Sequence, residues 1–350
     1  MNFDRHQERP LVSVIIPTTG QSPHLRGLLE RLQRQKFRST ESHTRRLFEI
    51  LVIANIPRQD LRNLVTSMGR TPLGKFEYLE TGKMGVNLAR NKGLDRANGE
   101  VVLFLDDDAI LDELIVEPEY FLEAHYEKHQ ERPEAIAVGG PYNLVGSKSK
   151  WDIAYQHIAS QWIRRHRRAH NRTEQLLGGN LSFKLDRLRE ISERFDENIP
   201  YGGAETGICQ RLTERKEPLL YFDDLLIGHA PGTTRRSLTR KAYLQGAGAA
   251  WRRTNIGNVK FIGPDTLRPR DPLPEAQNEI DIYDRCFQFG WESNPFGNDL
   301  VKNSSMEFPR LGYAMFRCRK ILAGLFERGP AALLRRLYAS SRSIWISARY

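Results

Sequence analysis

Short apolar runs rich in β-branched residues, alternating with amphipathic stretches, constrain this chain more than any other feature. Leu11–Pro17 (LVSVIIP), Phe48–Ala54 (FEILVIA) and Val101–Leu105 (VVLFL) read as strands buried on both faces. Between them, Ser22–Phe37 carries Leu25, Leu28, Leu29 and Leu32 at helical spacing. Gln59–Met68 reads as a short helix, Phe76–Glu80 as a weak strand and Val86–Ala97 as a further helix. That order implies βαβ units and a mostly parallel sheet. In such sheets ligands bind beyond the carboxyl ends of the strands. The rule points to Pro17–Gly20, Asn55–Pro57 and Asp106–Asp108.

The second half is less regular. Ala135–Val138 and Gly178–Phe183 read as strands, and Leu219–Ile227 as strand-like. Trp151–Arg168, Thr206–Glu214 and Ser237–Arg253 read as helices. Phe261–Pro274 is loop-rich, and two amphipathic helices are expected within residues 301–350.

The formal charge of +10 becomes informative once it is located. Residues 300–350 carry ten Lys/Arg against Glu307 and Glu327, a net of +8, which leaves the first 299 residues at +2. Smaller basic clusters lie at Arg164–Arg172 and between Arg235 and Lys260. Such charge suits nucleic acid, an anionic membrane surface or phosphorylated substrates. No stretch reaches the ~18 uninterrupted apolar residues of a membrane span. Met1–Pro10 lacks the apolar core of a signal peptide. Cys209, Cys286 and Cys318 form neither a disulfide framework nor a CxxC knuckle, so a cytoplasmic setting is expected.

Asp106, Asp107 and Asp108 directly follow the strand VVLFL. Adjacent carboxylates repel unless a cation or donors neutralise them. In an extended segment Asp106 and Asp108 point to one side, which suits a hard divalent ion that also holds substrate phosphates. The alternative is a solvated turn or helix start.

Ser13–Gly20 (SVIIPTTG), Glu49–Ile56, Gly85–Gly99 (GVNLARNKGLDRANG) and Glu100–Ala109 (EVVLFLDDDA) together resemble the family 2 glycosyltransferases. The resemblance covers Leu11–Ala109 and continues more loosely to Trp251. It implies an α/β chain of the GT-A fold, a Rossmann-like mixed sheet with helices on both faces, plus C-terminal amphipathic helices. The expected division is a GT-A domain over 1–260, with a nucleotide-sugar half near 10–110 and an acceptor half near 111–260. A loop-rich connector over 261–300 and a basic helical tail over 301–350 follow.

The resemblance also implies roles. Asp106 would contact the donor ribose, with Asp107 beside it, and Asp108 would bind the metal, Mn²⁺ or Mg²⁺. Pro17, Thr18 and Thr19 would line the base and ribose pocket, and Arg90 would contact the nucleotide; a surface helical salt bridge is the alternative for Arg90. The family usually ends its second strand with an Asp that reads the base; here Ala54 stands in that place and Asn55 follows. A UDP-sugar donor is the expectation. Gly179 and Asn180 would border the sugar and acceptor, although a tight turn before a strand explains them equally. His229 would complete the metal site, and Arg235 and Arg236 would bond the diphosphate.

In Phe195–Leu212 (FDENIPYGGAETGICQRL) the family's acidic pair has become Ala204-Glu205. Glu205 takes the place of the catalytic base, with Asp196 and Glu197 as rival acids. The implied reaction is direct displacement. A saccharide or lipid-linked acceptor hydroxyl, deprotonated by Glu205, attacks the anomeric carbon with inversion while a metal-bound nucleoside diphosphate leaves. The basic tail suits peripheral attachment to an anionic membrane, such as the inner face of the cell membrane, or packing on the core. Competing classes are another nucleotide-dependent transferase, a non-catalytic family member, and a basic nucleic-acid-binding protein. The last lacks any recognition motif, and no nucleic-acid partner is expected.

Overall fold

The computed structural model describes residues 9–38, 46–111, 117–146, 149–199, 203–256 and 271–293. Its strands are β1 (Val12–Thr18), β2 (Phe48–Ala54), β3 (Gly74–Glu80), β4 (Val101–Leu105), β5 (Ala109–Ile110), β6 (Ala137–Gly139), β7 (Tyr142–Leu144), β8 (Arg172–Thr173), β9 (Asn180–Lys184), β10 (Leu219–Tyr221) and β11 (Ile227–His229). Its helices are α1 (Leu25–Gln33), α2 (Gln59–Met68), α3 (Val86–Arg96), α4 (Phe121–Glu131), α5 (Lys150–His166), α6 (Leu185–Glu190), α7 (Ala204–Glu214), α8 (Arg235–Ile256) and α9 (Gln277–Ser293).

Eight strands form one mixed sheet in the order β3-β2-β1-β4-β9-β6-β10-β8. β1, β2, β3 and β4 run parallel, and β9 is antiparallel to both β4 and β6. The chain moves outward from β1 to β2 and β3, then returns to place β4 on the other side of β1. That reversal opens a crevice at the carboxyl ends of β1 and β4. The alternation of side chains along a strand sends them to two cores. Val12, Val14, Ile16, Leu103 and Leu105 face α1, α2 and α4. Ile15, Val102 and Phe104 face α3, α6 and α7. The four leucines of α1 are all buried, each stabilising the fold by roughly 1.5–3 kcal/mol.

A second sheet, β5-β11-β7, stands beside the crevice. α8 and α9 pack against each other, and with α5 they enclose a third core containing Ile158, Leu238, Tyr283 and Phe287. Helix α9 lies inside the stretch expected to be a loop-rich connector: Ile280, Tyr283, Cys286 and Phe287 recur at helical spacing and are buried. The expected tail helices within 301–350 lie outside the described residues.

Candidate active site

The acidic triplet leaves β4 as a turn rather than an extended segment, closed by the Ala109 amide donating to the Asp106 carbonyl (3.1 Å). The turn sets the Asp107 carboxylate apart from the other two. Asp107 folds back and accepts from Thr18 Oγ1 at the end of β1. Burial raises its carboxyl to about 7, with the Thr18 hydrogen bond opposing and the charges of Asp108 and Asp106 adding to the rise. Asp106 and Asp108 stay together as expected, and pairing of β5 with β11 brings His229 alongside, since His229 pairs with Ala109. The Ala230 amide donates to the Asp108 carbonyl (3.2 Å). One ligand atom from each of Asp106, Asp108 and His229 lies within 4.8 Å of the other two.

These residues fit a divalent metal. Asp108 Oδ1 is buried without a hydrogen bond, 3.5 Å from His229 Nε2, an orphan that a cation would satisfy. Burial would raise the Asp108 carboxyl, but contact with His229 and the charge of Lys241 hold it below the usual range. Two carboxylates and an imidazole are a donor set for a first-row ion.

Tyr142 supports this cluster and has no marker in the sequence. It sits diagonally across from His229 on neighbouring strands, and their rings stack with centroids 4.6 Å apart. Its hydroxyl accepts from the Gly179 amide (2.7 Å) and donates to Asp106 Oδ2 (3.5 Å). Burial, then the Asp106 charge, pushes the phenol well above its ordinary value, so it stays a donor.

Helix α3 explains the ARN segment. Asn87, Arg90 and Asn91, at helical spacing, share one inward face. Asn87 Nδ2 donates to the carbonyls of Asp196 (2.7 Å) and Ile199 (3.2 Å), and Asn91 exchanges hydrogen bonds with Phe195. Arg90, only 3% exposed, lies beneath the crevice. Its Nη2 reaches Asp106 Oδ1 (3.3 Å) and the Gly178 carbonyl (3.0 Å), and Nη1 lies 3.8 Å from Glu205 Oε2. A side chain at Gly178 would meet Arg90 and Glu205 within 2.8 Å, and one at Gly179 would meet Asp106 at 2.3 Å. The two glycines therefore let the backbone pass between the acids.

Glu205 opens α7 and keeps 22% of its side-chain exposure. Burial raises its carboxyl above the ordinary range, with the Arg90 charge pulling the other way. The rival acids are committed elsewhere. Asp196 takes two hydrogen bonds from Arg211 (3.1 and 2.9 Å), and Glu197 accepts from Asn91 (2.8 Å).

Pro17 and Thr18 are buried at the end of β1 and Thr19 is exposed. Asn55 is buried, and its amide donates to the Gly85 carbonyl (3.0 Å), anchoring the turn into α3. Asn180 is not brought to the crevice: it is fully buried, donating to Leu225 O (2.7 Å) and bonded to His125 Nε2 (3.1 Å). Arg235 and Arg236 stand exposed at the start of α8, with no ion pair among the described residues. The loop leading to them is held by Asp152, which accepts from the Thr233 amide, another role without a sequence signal.

The family model for glycosyl transferase family 2 matches residues 13–195. Among curated proteins, the chain is 32% identical over 115 residues to the poly(ribitol-phosphate) beta-N-acetylglucosaminyltransferase TarS of Staphylococcus aureus, covering 33% of this chain and 19% of that protein. It is 32% identical over 108 residues to the GalNAc(5)-diNAcBac-PP-undecaprenol beta-1,3-glucosyltransferase of Campylobacter jejuni, covering 30% of this chain and 31% of that one. The matches thus span less than a third of either relative. Among solved structures, the mannosyltransferase PcManGT of Pyrobaculum calidifontis, in complex with GDP-Man and Mn²⁺, superposes with a TM-score of 0.51 at 16% identity, covering 95% of this chain and 80% of that one. That likeness is one of fold, the GT-A fold.

Proposed function

This chain belongs to glycosyl transferase family 2, and from that membership we propose that it transfers a sugar from a nucleoside-diphosphate donor to an acceptor hydroxyl with inversion. The observation that carries the reading is the grouping of Asp106, Asp108 and His229 at the carboxyl end of β4, with Glu205 joined to it through Arg90. In this reading the triad would hold a divalent ion, which supplies charge neutralisation for the leaving diphosphate. The imidazole ligand favours Mn²⁺ over Mg²⁺, and the neighbouring fold is known with Mn²⁺.

The rest falls to the chain's own residues. Glu205, with its raised carboxyl, takes the proton from the acceptor hydroxyl as that oxygen attacks the anomeric carbon. Arg90 holds Asp106 and Glu205 on either side of the Gly178–Gly179 backbone. Arg235 and Arg236, exposed and without an ion pair among the described residues, are available to the diphosphate. The names of both curated relatives describe phosphate-bearing acceptors, which supports an anionic saccharide or lipid-linked acceptor here. Such an acceptor would bring the enzyme to the cytoplasmic face of the membrane, with the basic segment 301–350 as the candidate contact. Among the described residues no helix is long and apolar enough to cross a membrane.

Nucleic acid is a poorer partner. Arg164, Arg167 and Arg168 of the central basic cluster are paired with Asp271, Asp223 and Glu174. The testing experiment is a thermal-shift screen of UDP, GDP, dTDP and CDP with and without Mn²⁺. Stabilisation by one nucleotide that requires the metal is expected and names the donor class. No shift with any nucleotide would overturn the reading in favour of a non-catalytic role, for which Ala54 and Ala204 are the warrant.

A further inference from the structure

Glu205 begins a helix whose entry is controlled from a distant part of the chain. The residue before α7, Gly203, adopts the left-handed region (φ 63°, ψ 42°). A Cβ there would lie 2.9 Å from Arg252 Nη1, so a side chain at this position would push against the guanidinium. Arg252 comes from α8, 49 residues later, and is 3% exposed. Its Nη1 donates to the Gly203 carbonyl (2.9 Å). That carbonyl also accepts from the Thr206 amide (3.2 Å), so one oxygen joins the helix start to the arginine.

A guanidinium in this place is costly to bury and needs compensation. Burial lowers its pKa to about 10, and the charges of Glu205 and Asp196 resist the fall. Asp196 is already held by Arg211. Glu205 therefore lies in the field of two buried cations from different elements, Arg90 on α3 and Arg252 on α8, with the charge of Asp106 opposing them. The segment carrying Glu205 and Arg252 lies outside the part matched by the family model, 13–195.

We infer that Arg252 is a positioning residue for Glu205: its guanidinium locks the Gly203 turn from which α7 starts, and so fixes where the carboxylate stands against the acceptor. This rests on the reading of Glu205 as the base. It assigns α8 a task in transfer beyond its packing. A displaced base keeps its chemistry and loses its geometry, and a shift of about 1 Å costs up to about a hundredfold in rate.

The test uses the full chain with GDP-mannose and UDP-N-acetylglucosamine as probes in Mn²⁺, measuring release of nucleoside diphosphate alongside affinity for GDP and UDP. Expected for R252M is a turnover loss of about tenfold or more, with nucleotide affinity unchanged and partial recovery in R252K. If R252M does not fold, G203A disturbs the same clamp from the other side and should give the same split. Wild-type turnover in the folded variant, or a parallel loss of nucleotide affinity, would overturn the inference. E205Q, run beside them, separates the two claims. If E205Q turns over normally, the base assignment and this inference fall together. If E205Q is inactive while R252M is normal, only this inference falls.

Discussion

On one side of the crevice, β1 to β4 run five to seven residues, and Val12, Ile15, Leu103 and Phe104 are among their fully buried apolar side chains. On the other side, β6 to β11 run two to five residues over a buried polar network. There His125 bonds Ser182 Oγ (3.0 Å) and Asn180 Oδ1 (3.1 Å), and His129 bonds Ser182 Oγ (3.1 Å). Burial lowers His125 to about 4 and His129 to about 3, so both are neutral partners near pH 7. The first side is held mostly by apolar area, and its polar groups at the crevice protrude from strand ends. The second side adds directed contacts between residues far apart in the chain.

If the metal cluster belongs to the first side and the base to the second, their loss should read differently. If Asp108 ligates the metal, D108N takes one carboxylate from that site, so metal-dependent stabilisation by nucleotide and turnover should vanish together. The expected loss is about 4 kcal/mol in barrier, near a thousandfold. Turnover surviving in D108N with metal dependence intact would break the assignment of Asp108.

The stability of the first side has its own polar exception. Glu49, fully buried in β2, accepts from Ser13 Oγ (2.6 Å) and the Asn98 amide (2.7 Å) and pairs with Lys75 (2.9 Å). Burial alone would raise its carboxyl, but these three contacts hold it below the ordinary 4.5. A depressed native value contributes stability that is complete above the unfolded value and lost as pH falls through the native one. E49A should cost about 3 kcal/mol at neutral pH, and urea unfolding should show the gap to wild type closing below about pH 4.5. A gap that widens with acid would contradict this account.

E205Q should cost turnover about a hundredfold while leaving metal-dependent nucleotide binding intact, the converse of D108N. Its raised carboxyl makes the ionised form costly in the fold. The acid limb of the turnover profile should therefore lie above the ordinary glutamate range. By the same sign, removing the charge at neutral pH should leave the Tm equal or higher. A lower Tm would show that pairing with Arg90 outweighs the cost of burial.

The same contrast explains what the sequence made legible. β1, β2, β4, α1 and α2 follow from apolar periodicity, because an apolar run or stripe writes itself into nearby residues. Asp106, Asp108 and Glu205 were readable as acids at element ends. Tyr142, Arg252 and Asp152 were not, since each acts on a partner 37, 49 or 81 residues away and no local spacing records that. Asn180 looked accessible beside two glycines, yet strand alternation turns it into the polar network.

Tyr142 gives the smallest expected effect and the finest test, because it touches both sides. Its hydroxyl bonds the Gly179 amide and Asp106, while its ring stacks on His229. Y142F keeps the ring and leaves the Gly179 amide without its acceptor, at about 1 kcal/mol. Y142L removes the stacking as well and frees the His229 imidazole to turn. If the hydroxyl serves mainly the glycine backbone, Y142F should lower Tm slightly with little change in the Mn²⁺ concentration needed for nucleotide binding. Y142L should raise that concentration. Equal metal requirements in the two variants would mean that the ring does not orient His229, and the division between a metal side and an acceptor side would have to be redrawn around Asp106 alone.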